Sequence, residues 1–62
     1  MPLIHIELFE GRTPAQKKEL AAALTKETVR VLQCADSAVD IIFTDIKKQD
    51  WATAGVMWSE HK

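Results

Sequence analysis

Apolar and polar side chains alternate at the start of the chain. Ile4, Ile6 and Leu8 share one parity, and His5, Glu7 and Phe9 the other. A period of two sends successive side chains to opposite faces of extended backbone, so Pro2 to Phe9 predicts a strand with one mainly apolar face. Glu10-Gly11-Arg12 breaks the alternation, and Thr13-Pro14-Ala15-Gln16 has the form of a helix start. Thr13 is the N-cap, Pro14 suits the first helical position with its fixed φ and missing N–H, and Gln16 is placed to close a capping box. The helix is expected to begin at Pro14 and run through Gln33 in a stretch rich in Ala, Leu, Lys and Glu. Leu20, Leu24, Thr28 and Val31 or Leu32 fall on one stripe, with Lys17, Lys18, Lys26 and Arg30 mostly on the other side.

After Cys34-Ala35-Asp36-Ser37 comes a β-branched run, AVDIIFTDI, with Val39, Ile41 and Phe43 on one parity and Asp40, Ile42 and Thr44 on the other. This predicts a second strand. Lys47-Lys48-Gln49-Asp50 reads as a polar loop, and the tail WATAGVMW, broken by Gly55, as a small hairpin or docking arm. Strand, helix and strand of these lengths make an α/β chain with a single βαβ unit, its strands parallel and its crossover right-handed.

With 62 residues there is room for one domain, 1–62. A chain this short buries only roughly 60% of its unfolded surface and usually needs disulfides, a metal or partner subunits. Cys34 is the only cysteine, which excludes an internal disulfide. Cys34, His5 and His61 lack metal-finger spacing, so no metal is expected. One helix on a two-stranded sheet leaves the other face and both edges open, exposing Phe9, Ile42, Trp51, Val56 or Trp58. We therefore expect sheets to pair between subunits in an obligate oligomer.

Apolar residues make up 47% of the chain and charged ones 27%, with a net charge of −1. Without a basic field, nucleic acid is not an expected partner. No apolar stretch approaches the roughly 20 residues of a membrane helix, so no membrane partner is expected either. No signal peptide is expected before the first strand, and a reducing cytoplasm is the expected setting.

Pro2 carries the candidate chemistry. Its small ring permits removal of Met1, which would leave the ring nitrogen a free secondary amine instead of an amide. A strand starting at once with Pro2-Leu3-Ile4, followed by Glu10-Gly11-Arg12-Thr13 leading into a capped helix and then a second strand, resembles the 4-oxalocrotonate tautomerase family over essentially the whole chain. The resemblance implies βαβ subunits pairing into dimers that usually assemble into hexamers. It implies Pro2 as general base and acid, Arg12 as a carboxylate-binding residue and Trp51 as an aromatic wall. It further implies small 2-hydroxydienoates or enols of 2-oxo acids as substrates, and no cofactor.

Elementary chemistry bears on these roles. A general base is most useful when its pKa lies near the operating pH, and burial beside apolar groups or near a cation such as Arg12 disfavours a charged amine. Arg12 follows a glycine that lets the backbone turn, and its planar fork suits a carboxylate; its alternative reading is a solvated corner charge. The departure from the family pattern is Asp40, which stands where diacid tautomerases carry a second arginine. Asp40 is read in three ways: a subunit contact that leaves the site tuned differently, a second acid or base that turns the site toward water addition, or a sign of lost catalysis in a scaffold or mixed assembly. A tautomerase with altered or monoacid preference is the favoured reading; a dehalogenase, hydratase or decarboxylase of the superfamily, or a non-catalytic oligomeric module, is the alternative. Trp51 also has a packing reading. Trp58 is assigned to an interface, His5 and His61 to the surface, with His5 close enough in sequence to affect Pro2 if their side chains meet. Cys34 reads as a semi-buried small hydrophobe.

Overall fold

A computed structural model describes residues 1–60; His61 lies outside the described residues. The first alternating stretch forms β1 (Leu3–Phe9) and the second β2 (Asp40–Ile46), paired parallel with Leu3 opposite Asp40 and Phe9 opposite Ile46. Helix α1 (Pro14–Leu32) crosses between them. Its start is the expected capping box: Gln16 N–H donates to Thr13 Oγ1 at 3.1 Å and Thr13 N–H to Gln16 Oε1 at 3.0 Å. Its end comes one residue before the expected Gln33, which turns into the left-handed region at φ 54° while its N–H donates to the Val29 carbonyl. Thr13→Ala removes one reciprocal half of the box and should cost about 1 kcal/mol in urea denaturation, with activity per folded molecule unchanged.

In-register pairs of a parallel sheet share a face, so Ile4, Ile6 and Leu8 lie with Ile41, Phe43 and Asp45 toward the helix. The half-buried helix residues are Lys17, Ala21, Leu24, Thr25, Thr28 and Val29. The expected stripe is therefore displaced. Leu24 and Thr28 belong to it, whereas Leu20, Val31 and Leu32 are exposed. Two strands are too narrow to cover the helix's whole apolar arc, and Leu20, Val31 and Leu32 overhang the β1 edge, lining clefts with Leu8, Pro2 and Ile4. Lys17, expected on the solvent side, instead reaches Asp45 at 2.7 Å.

A short 3₁₀ turn over Lys48–Asp50 leads into a hairpin of β3 (Ala52–Thr53) and β4 (Val56–Met57), settling the tail as a hairpin. Ala54 and Gly55 both hold positive φ at its turn, the geometry that matches strand twist in two-residue hairpins. Trp58 follows, its indole N–H donating to Thr53 Oγ1 at 2.8 Å. Phe9 sits against both indoles, 4.4 Å from Trp51 and 5.3 Å from Trp58 between ring centroids. These three aromatics, expected to be bare, thus half-bury one another.

No described side chain is fully buried. The radius of gyration is 14.8 Å, against about 10–11 Å for a compact domain of this length. The accessible surface is 5032 Å², against about 4,000 Å² for a folded monomer of this mass. Leu3 and Ile42 remain 61% and 50% exposed on the sheet face away from the helix. No described helix is long and apolar enough to cross a membrane.

Candidate active site

Pro2 stands half-buried at the head of β1, its carbonyl accepting the Asp40 backbone N–H at 3.0 Å. The parallel pairing of β1 and β2 thereby brings Asp40 to the same end of the sheet as Pro2, opposite Leu3 and on the face away from the helix. On the helix side, Pro2 shares a shallow cleft of about 360 Å³ with Ile4, Leu24, Glu27, Thr28, Val31 and Leu32. With Met1 attached, the Pro2 nitrogen is a tertiary amide with no basic lone pair.

Arg12 lies past the other end of β1, where Gly11 takes a φ of 116° that a side chain would resist. The guanidinium is exposed beside a cleft of about 230 Å³ formed with Leu8, Gln16, Lys17 and Leu20, and has no ion-pair partner among the described residues. Trp51 belongs to this same end, through its contact with Phe9. Lys48 adds a second cation there, its Nζ 5.8 Å from the Phe9 ring centroid, near enough for cation–π attraction.

The fold therefore sorts the four candidate residues into two pairs, Pro2 with Asp40 and Arg12 with Trp51. Seven strand residues at about 3.3 Å each put roughly 20 Å between the pairs. One chain cannot close a small-molecule site from both.

One feature of the Pro2 cleft was not anticipated. Glu27 enters the Pro2 cleft, where Arg30 holds it with Nε at 3.1 and 3.0 Å from its two carboxylate oxygens. That pairing keeps the Glu27 carboxyl below its ordinary pKa and raises the Arg30 guanidinium. The signal was available: Glu27 falls three residues beyond Leu24 and four before Val31, at helical spacing from both. His5, in contrast, is kept from Pro2. It lies on the opposite sheet face, its Nε2 at 2.7 Å from Thr44 Oγ1. Cys34 is half-buried beyond the helix, as expected. Among the described residues no group of three or more His, Cys, Asp or Glu side chains is placed to hold a metal ion.

Comparison with known proteins agrees with this architecture. The family model described as tautomerase enzyme matches residues 2–61. A probable tautomerase of Streptococcus pneumoniae is 42% identical over 57 residues, 92% of this chain and 95% of that protein. A probable tautomerase of Ralstonia nicotianae is 37% identical over 60 residues, 97% and 92% of the two chains. Among solved structures, a heterohexamer 4-oxalocrotonate tautomerase from Chloroflexus aurantiacus J-10-fl superposes with a TM-score of 0.93 at 29% identity, covering all of both chains. The chain belongs to the tautomerase enzyme family and is an isomerase of the 4-oxalocrotonate tautomerase type.

Proposed function

We propose that the protein, once Met1 is removed, is a cofactor-free keto–enol isomerase of small 2-oxo acid enols or 2-hydroxydienoates, in which the Pro2 amine moves the proton. In ketonisation the enol O–H bond breaks as the oxygen becomes a carbonyl, and a C–H bond forms at the far end of the enol system. One nitrogen serves both ends by accepting the first proton and delivering it to carbon. Arg12, exposed and without an ion-pair partner among the described residues, suits the substrate carboxylate, for which its two parallel N–H donors are matched. Trp51 supplies a wall against which a flat conjugated acid can lie.

The observation that carries this reading is the separation of Pro2 from Arg12 along β1. A working site takes Pro2 from one copy and Arg12 and Trp51 from another, which an antiparallel, two-fold pairing of sheets provides. The extended shape and the exposed Leu3, Ile42, Val31 and Leu32 support such an assembly, a dimer or a hexamer of this chain. The heterohexamer among the solved relatives makes a mixed oligomer the variant to test.

Asp40, exposed at the Pro2 end of the sheet, bears on the substrate preference. A carboxylate there repels a second substrate carboxylate, so a monoacid enol fits better than a diacid one. The test is an ultraviolet assay of protein shown by intact mass to lack Met1. Turnover of enol-phenylpyruvate should exceed that of 2-hydroxymuconate. A folded oligomer inert toward both would overturn the reading, and a diacid preference would overturn its account of Asp40.

A further inference from the structure

The cleft beside Arg12 is built from two elements. Leu8 lines it from the helix-facing side of β1, and Gln16, Lys17 and Leu20 line it from the first turns of α1. Gln16 and Leu20 are four residues apart and so share one face of the helix. Charge in this cleft is simple to count. The Lys17 ammonium meets the Asp45 carboxylate at 2.7 Å, so that pair brings no net charge. Gln16 is neutral, and its side-chain oxygen is held by the Thr13 N–H in the capping box. Arg12 has neither a hydrogen bond nor an ion pair from its side chain among the described residues. Leu20 is left 40% exposed. Among the residues lining the cleft, one cation is thus free, and it borders an apolar wall.

Resting on the reading of Arg12 as the carboxylate-binding residue, we propose that this cleft is the subsite for an apolar substituent of the substrate. Leu8 and Leu20 are its specificity-determining residues, and the preferred substrate is a monocarboxylate that carries an alkyl or aryl group. The cleft's volume of about 230 Å³ falls below the roughly 300–1,000 Å³ of pockets that enclose a whole small molecule, and suits part of one. A carboxylate held by Arg12 brings the atoms that follow it against Leu8 and Leu20. Apolar carbon placed there leaves water, which favours binding. A second carboxylate in the same place loses hydration and meets no free cation, because Lys17 is already paired with Asp45.

The position of the cleft fits the shared site. Leu20 overhangs the β1 edge at one end of the strand, and the Pro2 cleft opens over the same edge, on the same side of the sheet, at the other end. A two-fold axis normal to the sheet that joins two β1 edges keeps both helices on one side. It thereby turns the Pro2 cleft of one copy toward the Arg12 cleft of the next. Two separate features then select against a diacid: repulsion by Asp40 at the Pro2 end, and an apolar wall at the Arg12 end.

The experiment is an NMR titration that follows the Arg12 Nε–H signal, with the Arg30 Nε–H, bonded to the Glu27 carboxylate, as the reference that stays in place. The probes are acetate, butanoate, hexanoate and hexanedioate, none of which turns over. Affinity for the wild-type assembly should rise by about fourfold for each methylene that leaves water. Hexanoate should therefore bind at least tenfold tighter than acetate, and at least tenfold tighter than hexanedioate. Leu20→Ala, which keeps a good helix former, should weaken hexanoate by about tenfold and leave acetate within twofold. Leu20→Arg supplies the missing second cation and should bind hexanedioate at least as tightly as hexanoate. Equal affinity for acetate and hexanoate, or hexanoate binding unchanged in Leu20→Ala, would overturn the proposal. Should Leu20→Ala fail to assemble in sedimentation, the chain-length series on wild type decides it alone. Probes that bind wild type and Arg12→Ala alike would overturn the anchor itself, a failure of the underlying reading that is distinct from a flat chain-length series. No probe reacts, so neither result depends on Pro2 as the proton-transfer group.

Discussion

Replacing Pro2 by alanine should slow turnover of an enol acid by about 10²- to 10⁴-fold, the range expected when a positioned proton-transfer group is lost. Alanine also permits Met1 removal, so the variant still ends in an amine. That amine is primary and turns freely, whereas the pyrrolidine ring holds its nitrogen in one place at the head of β1. A sharper companion is wild-type protein carrying a short uncleaved extension before Met1. Its Pro2 nitrogen stays an amide, and activity should fall at least as far while the fold is unchanged. Both forms should sediment as wild type, because Pro2 contributes to the sheet through its carbonyl, which accepts from Asp40 in either case. Activity within threefold of wild type in both would remove Pro2 from the chemistry.

Arg12→Ala has the second largest expected effect, on KM. A charge-assisted hydrogen bond contributes about 1.5–3 kcal/mol, so KM for a carboxylate substrate should rise roughly 10- to 100-fold with a smaller change in kcat. Stability should move by less than about 0.5 kcal/mol, since the side chain is exposed and unpartnered among the described residues. Arg12→Lys should recover only part of the loss, because an ammonium keeps the charge and lacks the paired donors. Steady-state kinetics with chemical denaturation on the same samples separates binding from folding. Loss of stability with unchanged KM would assign Arg12 to structure.

Local chemistry made the fold legible. Alternation in Ile4-His5-Ile6-Glu7-Leu8 fixed the face of β1, and Thr13, Pro14 and Gln16 fixed the start of α1 to the residue. What pattern alone missed depended on width and on partners distant in sequence. The helix stripe is displaced because a two-stranded sheet covers only part of it, leaving Leu20, Val31 and Leu32 over the β1 edge. Lys17 turned inward because Asp45 lies on the helix-facing side of β2, a fact of register that neither segment carries by itself. For the site, Pro2, Arg12 and Trp51 stood out singly. Their division between the two ends of the chain did not, because sequence order says nothing about the roughly 20 Å that β1 inserts between them. That division turns three candidates into a claim about assembly.

The central claim is that Pro2 and Arg12 of one working site come from different copies of the chain. Mixing the two impaired proteins, Pro2→Ala and Arg12→Ala, through a cycle of unfolding and refolding tests it most directly. In random mixed assemblies about a quarter of sites pair an intact Pro2 with an intact Arg12, so activity should rise well above either parent, toward a quarter of wild type. Activity no greater than the average of the two parents, in assemblies shown by mass to be mixed, would contradict the account.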